Sequence, residues 1–297
     1  MAIGGRAARA AALCAASLLC AGQAMAATPA ANLFYERALM AAAGSACRLF
    51  APDVTAALAA SKAQARSAAL RSGADATALA SLDAQARTAG AASCGSPGVA
   101  TAAAQVRAAF AGYAALDEMK FPGELSSWTA SRPASDGWRV VQRDRFGWDV
   151  MQFGLAGHGD ARPLIAAASF ADGAQPYGAR LVMRDASLTN GAYLDPRAAD
   201  IAGRLPIDAR LPPRTASRVF TAEAMAPAGV LQGPGMPGAL GFRFPTAAAE
   251  AMAGLDPREA VAVEFLFAGQ NGEEVRTAYV EVGDFAAARS FQAITQR

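Results

Sequence analysis

The periodicity of the sequence changes near Met119, and this change limits the fold more than any other feature. Before Met119 the chain is rich in alanine, and its larger apolar residues recur at helical spacing. After it come glycine, proline and alternating β-branched or aromatic residues, which are typical of strands and turns. The sequence therefore predicts an α+β fold, in which an alanine-rich helical bundle precedes a mainly antiparallel, sandwich-like β domain that ends in a hairpin and a helix.

The N-terminus has the three parts of a secretory signal peptide. Arg6 and Arg9 form a basic start, an apolar run follows, and Ala24-Met25-Ala26 matches the small-x-small pattern of a cleavage site. We expect cleavage before Ala27 and a mature chain that acts in the periplasm, or is secreted if the cell has one membrane. A lipid anchor on Cys20 and an uncleaved anchor are the alternatives.

We divide the chain into a signal peptide of residues 1–26, a helical domain of residues 27–119 and a β-rich domain of residues 120–297. No stretch after the signal peptide is apolar enough to cross a membrane. The full chain has 27 Lys+Arg against 25 Asp+Glu, and removing Arg6 and Arg9 leaves 25 of each. A nucleic-acid-binding protein needs a basic excess, so the partners we consider are an envelope protein or a glycan, not a nucleic acid.

Cys47 and Cys94 are the cysteines that the predicted mature chain keeps. In an oxidising compartment a single pair predicts one disulfide, and two buried free thiols are the alternative. Closing a loop of this length stabilises a fold by about 4 kcal/mol in the chain-entropy model. Alanine favours helices but buries little apolar area, so this link would matter to the bundle.

Helix start and stop signals divide the N-terminal part into four helices. They run from about residue 33 to 47, from 52 to 70, from 76 to 92, and from 97 past 113. The pattern of the β-rich part predicts strands at residues 138–143, 148–153, 164–170, 180–185, 218–224 and 240–244. It also predicts a short helix at 246–253 and a last helix capped by Asp284.

Asn271-Gly272 predicts the turn of a hairpin between residues 259 and 283, because this dipeptide is the strongest two-residue turn signal. Folding about it pairs Val261 with Val282, Val263 with Val280, and Phe265 with Ala278. These six residues share one face, which we expect to lie against the core.

The other face of the predicted hairpin suits solvent, with Leu266 as its exception. It carries Ala262, Glu264, Thr277, Tyr279 and Glu281. With the final helix and its two phenylalanines, this ending resembles invasion-associated periplasmic β-sandwich proteins. The likeness covers only the end of the chain and assigns a role to no residue.

His158 is the only histidine, so a histidine-rich metal site is impossible and a catalytic triad of the usual kind would have to use it. It could act as a base oriented by Asp160, or it could be a polar residue of an exposed loop, which we favour.

Residues 233–238 match Gly-x-Gly-x-x-Gly, but two prolines and a following strand argue against a dinucleotide site. We expect no cofactor and no metal.

Two further patterns have a functional and a structural interpretation. Two carboxylates from a group of five acidic residues could form a glycosidase dyad. The alternative, which we favour, is that these residues are solvated or have arginine partners. They are Asp144, Asp149, Glu223, Glu264 and Glu281. Leu-Asp-Pro-Arg occurs at residues 194–197 and again at 255–258, which predicts two tight turns or a duplicated functional loop.

Trp128, Trp138 and Trp148 are the only tryptophans and the candidate binding residues. Exposed rings would stack on a sugar or a peptide, whereas buried rings would build the core, which we favour. Trp138 and Trp148 fall on neighbouring predicted strands, so we expect them to lie close together.

With no recognisable catalytic constellation, the sequence favours an exported, non-catalytic envelope protein that acts as a binding or interaction module. The alternatives are an exported hydrolase that uses carboxylates or His158, and a binder of small ligands or glycans.

Overall fold

The structure is a computed structural model that describes residues 28–132, 137–158, 162–189, 191–201, 204–232, 236 and 238–292. The predicted signal peptide therefore lies outside the described residues, as do Asp160 and most of the 233–238 segment. The described chain is α+β, with a helical segment followed by antiparallel sheets and a C-terminal helix, as predicted.

The helical segment consists of α1 (Pro29–Ala46), α2 (Pro52–Arg71), α3 (Ala76–Ala92) and α4 (Pro97–Ala114). Three of these helices begin with proline, which suits the first turn because its N–H groups have no intrahelical partner. The side chains of Thr28, Asp75 and Ser96 cap α1, α3 and α4 by accepting backbone N–H groups. The bounds of α2, α3 and α4 agree closely with the predicted ones because these local signals are strong, whereas α1 begins four residues before the predicted residue 33.

A disulfide between Cys47 and Cys94 joins the end of α1 to the end of α3, as predicted. The two Cα atoms are 5.5 Å apart. Phe34, Leu70 and Leu79 form the centre of a small core that alanines complete. Because alanine supplies most of this core, the covalent link reinforces a bundle with little large apolar surface to bury.

Helices give way to strands between Ala114 and Glu118. The strands are β1 (Glu118–Pro122), β2 (Ser127–Ser131), β3 (Gly137–Phe146), β4 (Asp149–Gly157), β5 (Leu164–Ser169), β6 (Gly178–Arg184), β7 (Ser217–Thr221), β8 (Ala224–Pro227), β9 (Leu240–Phe244), β10 (Ala260–Gly269) and β11 (Gly272–Glu281). Three further helices are α5 (Ala228–Gln232), α6 (Thr246–Ala253) and α7 (Phe285–Gln292). The sequence did not predict β1 and β2, and it joined β7 and β8 into one strand.

The strands form two antiparallel sheets that pack face to face. One has the order β1-β2-β3-β4-β5-β9-β8, and the other has the order β11-β10-β6-β7. One apolar core contains residues from both sheets, including Phe153 and Phe242 from the first and Leu181 and Val263 from the second. This is the predicted sandwich, in which the inward residues of two sheets share a core.

Helix α7 joins the helical segment to the sandwich. Phe285 and Phe291 are fully buried in the sandwich core, and α7 also packs against α2. Arg132, at the end of β2, stacks on the ring of Phe291 with 3.7 Å between the guanidinium carbon and the ring centre. Its Nη1 donates to the carbonyl of Tyr113 at 2.9 Å, so one side chain ties the end of α4 to α7.

The predicted register of the C-terminal hairpin is wrong by two residues. Val261 faces Val280, Val263 faces Ala278, and the two-residue loop is Gln270-Asn271, closed by Gly269 and Gly272. Gly272 has a φ of 122°, whereas Asn271 does not have a positive φ. A shift by two residues keeps the same side chains on the same face, so the apolar pattern could not distinguish the two registers. The inward face is therefore correct: Val261, Val263, Phe265, Ala278, Val280 and Val282 are all buried.

The prediction that the other hairpin face meets solvent is also wrong. Ala262, Glu264 and Glu281 are buried, and Thr277 and Tyr279 are half-buried. The long connection from β6 to β7 reaches this face, where its Arg214 forms an ion pair with Glu264. The alternation of polar residues there marks buried ion pairs and not a solvated surface.

Candidate binding site: an arginine-lined pocket

The three tryptophans do not form one surface. Trp128 is fully buried, and its indole N–H donates to the carbonyl of Val282 at 2.9 Å. Trp148 is 93% exposed in the turn between β3 and β4, whereas Trp138 is half-buried beside Ala156 at the other end of the same hairpin. Strand rise puts the last two roughly 30 Å apart. The expectation that they lie close together is wrong, because the turn at Gly147-Trp148 puts Trp148 and Trp138 at opposite ends of the hairpin.

His158 is exposed and directly follows β4, which agrees with the prediction that it is a polar residue of an exposed loop. Its Nε2 atom lies 3.0 Å from the carbonyl oxygen of Val230. Its proposed partner, Asp160, lies outside the described residues. The pairing of these two residues as a catalytic base and its orienting acid therefore stays an untested alternative to the loop interpretation that we favour.

Three of the five candidate carboxylates have arginine partners. Glu264 pairs with Arg180 and Arg214, and Asp149 lies 3.4 Å from Arg276. Glu281 lies 3.9 Å from Arg210, which lines the pocket described next. Of the other two, Glu223 is exposed, and burial raises the pKa of the Asp144 carboxyl above its usual value.

A cavity of about 430 Å³ lies where the helical segment, the β1–β2 turn and the β6–β7 connection meet. We call it the arginine-lined pocket. Four guanidinium groups and one carboxylate surround it, together with three leucines. Its lining residues are Arg71, Glu124, Leu125, Leu194, Arg204, Leu205, Arg210 and Arg258.

Arg71 enters the pocket from the last turn of α2. Its Nη1 atom is 2.8 Å from the carboxylate of Asp284, which is 1% exposed and precedes α7. Burial raises the pKa of the Asp284 carboxyl, and the ion pair with Arg71 only partly opposes this shift. The buried acid fixes the position of the guanidinium at the wall of the pocket.

Arg210 forms the floor of the pocket and is 2% exposed. Its Nε and Nη2 atoms donate to the carbonyl of Leu205 at 3.0 and 2.9 Å. Its Nη1 atom lies 2.7 Å from the carboxylate of Glu124 and donates to the carbonyl of Arg258 at 3.3 Å. These bonds hold the β6–β7 connection against the β1–β2 turn.

The β1–β2 turn is built around the buried carboxylate of Glu281. The backbone N–H groups of Glu124, Leu125 and Ser126 donate to it at 2.6, 2.9 and 2.8 Å. A Cβ atom on Gly123 would lie 2.5 Å from the Glu281 carboxyl carbon, so glycine is needed for this close approach. Glu281 thereby places Glu124 and Leu125 at the pocket.

The two Leu-Asp-Pro-Arg copies meet at this pocket, since the first supplies Leu194 and the second supplies Arg258. Both form the same turn: Asp195 accepts the N–H of Arg197, and Asp256 accepts the N–H of Arg258, each at 3.0 Å. The Nε and Nη2 atoms of Arg258 also donate to Asp256 at 3.0 Å each. The sequence repeat was the one signal that pointed here.

The chemistry of the pocket follows from how its arginines are held. Arg258 uses two of its three nitrogens on Asp256, and its Nη1 atom carries two further N–H donors. Arg204 pairs with Asp200 at 3.2 Å and has a side chain that is 75% exposed. Planar guanidinium groups in fixed positions match the oxygen pairs of carboxylate and phosphate groups. All four arginines have carboxylate partners, so the donors that remain for an anionic ligand include those of Arg258 Nη1 and of the exposed Arg204 guanidinium.

Comparison with protein-family models, curated proteins and solved structures finds no match for this chain. Within the described residues, no group of three or more His, Cys, Asp or Glu side chains is arranged to hold a metal ion. None of the described helices has both the length and the apolar character needed to cross a bilayer.

Proposed function

We propose that this chain is an exported, non-catalytic envelope protein that acts as a binding module. We further propose that the arginine-lined pocket is its binding site and takes a carboxylate or phosphate group of an envelope partner. One observation carries the proposal: four guanidinium groups surround a single cavity, and buried carboxylates hold two of them, Arg71 and Arg258, in place.

Pre-organisation supports binding at this pocket. A free arginine side chain loses rotamer entropy when it orders around a ligand. Arg71 and Arg258 are already held by Asp284 and Asp256, so little of that entropy remains to be lost. Arg204 is exposed at the rim and can adjust to the ligand.

The positions of the ionisable groups favour binding over hydrolysis. Hydrolysis through a triad needs a nucleophile beside a histidine, and the residues that line the described pocket include no serine, cysteine or histidine. His158 is not among them. The carboxylates around the pocket are occupied by arginine partners or backbone N–H groups.

Export rests on the sequence of residues 1–26 and is consistent with the disulfide. Mass spectrometry of the protein recovered from cells should show an N-terminus at Ala27. A retained Met1, or a lipid on Cys20, would exclude the cleavage before Ala27 that we propose.

Isothermal titration calorimetry tests the pocket with inorganic phosphate and citrate as probes. Arg204→Gln should weaken binding by about fivefold, the effect of losing one exposed charge contact of about 1 kcal/mol. Arg197→Gln removes an exposed arginine from the same connection but outside the pocket, so it should bind like the wild type. Equal effects of the two changes would mean that net charge, and not the pocket, binds the anion.

A further inference from the structure

Helix α4 is the least buried helix of the helical segment. Of its 18 residues only Ala103 is buried. Its apolar stripe includes Val106, Phe110 and Tyr113, and all three remain half-buried. The structure therefore leaves part of the surface of this stripe uncovered.

The space beside this stripe is a cavity of about 190 Å³ between α2 and α4. We call it the interhelical cavity. Val54 and Leu58 of α2 form one wall, and Phe110 and Tyr113 of α4 form the other. An apolar protein cavity of about 150 Å³ is large enough to bind benzene, so this one can hold a segment of an alkyl chain.

Helix α4 is anchored on both sides of the cavity and does not collapse into it. Arg132 donates to the carbonyls of Tyr113 and Ala114 at 2.9 and 3.1 Å, which fixes the C-terminal end. Arg107 donates to the carbonyl of Leu49 at 2.7 Å, which fixes the helix to the α1–α2 connection. These bonds maintain a gap that packing alone would tend to close.

The polar groups at the cavity indicate the ligand. Arg37 of α1 lies at its edge, together with Ser61 and Gln64 of α2. Arg37 is exposed and forms no ion pair with any residue that the structure describes. An arginine can lay its aliphatic stem along an apolar wall and keep its guanidinium in water. A cation without a carboxylate partner beside an apolar cavity is complementary to an amphiphile with a negative head.

We propose that the interhelical cavity binds the alkyl chain of a single-chain amphiphile, and that Arg37 binds its anionic head group. This site is separate from the arginine-lined pocket, because the two share no lining residue. Its ligand is defined by an apolar chain as well as by charge. The proposal therefore adds a second ligand class to the proposed function and does not depend on it.

Calorimetry with three amphiphiles of equal chain length tests the proposal, each below the concentration at which it forms micelles. Decanoate should bind more tightly than decanol, and decanol more tightly than decyltrimethylammonium. Arg37→Gln should weaken the binding of decanoate by about fivefold and leave the binding of decanol unchanged, because only decanoate has a charged head group for Arg37 to bind. Decyl phosphate shows whether a phosphate head group serves as well as a carboxylate.

Two variants fill the cavity from opposite walls. Ala57→Phe on α2 and Ala109→Phe on α4 should each weaken decanoate by at least about tenfold, because a ring would occupy the site of the chain. Ala59→Phe is the matched control, since Ala59 is exposed on α2 and does not line the cavity. Ala109 is exposed, so Ala109→Phe keeps the test valid if Ala57→Phe fails to fold.

Three outcomes overturn the proposal. The first is that wild-type protein binds no decanoate. The second is that Ala59→Phe weakens decanoate as much as the cavity-filling changes do. The third is that decyltrimethylammonium binds as tightly as decanoate. The part of decanoate binding that Arg37→Gln and the cavity-filling changes weaken should persist in Arg204→Gln, so failure here and failure of the anion pocket can be told apart.

Discussion

Replacing Glu281 with glutamine should destabilise the fold and weaken the arginine-lined pocket together. One carboxylate oxygen accepts the N–H of Glu124, and the other accepts the N–H groups of Leu125 and Ser126 and the Ser126 hydroxyl. A glutamine can supply one oxygen and one NH₂ group. The oxygen would keep three of these bonds, and the NH₂ group would face the N–H of Glu124, where no hydrogen bond can form.

The magnitude follows from these contacts. Each of the three remaining bonds loses its charged acceptor, which costs about 1 kcal/mol per bond, and the orphaned N–H adds about 1–3 kcal/mol. Burying a neutral group in place of an anion offsets part of this loss. We therefore expect the free energy of unfolding to fall by about 3–5 kcal/mol, the range typical of breaking a buried charged contact.

Urea unfolding followed by tryptophan fluorescence measures this loss. Glu250→Gln is the control, because Glu250 pairs with Arg289 on the surface and its side chain is 61% exposed, so it should cost less than about 1 kcal/mol. Gly123→Ala would place a methyl group against the Glu281 carboxylate and displace the turn, so it should lower the free energy of unfolding by about 1–3 kcal/mol. If Glu281→Gln costs no more than Glu250→Gln, the turn does not depend on the carboxylate and the reasoning is refuted.

Three further changes test other parts of the fold. Phe265→Ala should cost about 3–5 kcal/mol in urea unfolding, because Phe265 is fully buried among other rings, whereas Thr277→Ala on the other hairpin face should cost much less. Replacing Cys47 and Cys94 with serine should lower the free energy of unfolding by about 4 kcal/mol, and a reducing agent should have the same effect on the wild type but none on the variant. Burial raises the pKa of the Asp284 carboxyl, so the folded state binds its proton more tightly than the unfolded state. Its stabilising contribution is present at low pH and is lost as the pH rises through the folded pKa, and Asp284→Asn should therefore flatten the change in unfolding free energy above about pH 3.9, the usual pKa of aspartate. An unchanged pH profile in Asp284→Asn would show that this carboxyl does not titrate differently on folding.

Local signals predicted the helices well. The Asp75 side chain that caps α3 acts within one turn of the backbone, and residues 76–92 match α3 at both ends. Residues 246–253 match α6, which lies between Pro245 and Gly254, although no side chain caps it. The disulfide was predictable because only one pairing was available once the predicted signal is removed. Such features need no knowledge of distant contacts.

The hairpin shows where local signals fail. The Asn271-Gly272 pair fixed the predicted turn, but the observed register places only Gly272 at a positive φ. A contact from outside the hairpin also positions β11: Gln142 of β3 donates to the carbonyl of Glu281 and accepts its N–H, at 3.2 and 3.0 Å. A side chain 139 residues away thus caps the edge of β11, and no turn propensity reports on it.

The arginine-lined pocket was beyond sequence reasoning for a related reason. Alternating polar residues on a strand predict a solvated face only if nothing covers that face. Here the β6–β7 connection covers it with Arg210 and Arg214, and the β1–β2 turn covers Glu281. Whether a charge on a strand meets water or a partner therefore depends on long connections that have no periodicity. The repeated Leu-Asp-Pro-Arg turns were visible because turn chemistry is local, but their meeting at one cavity is a property of the whole fold.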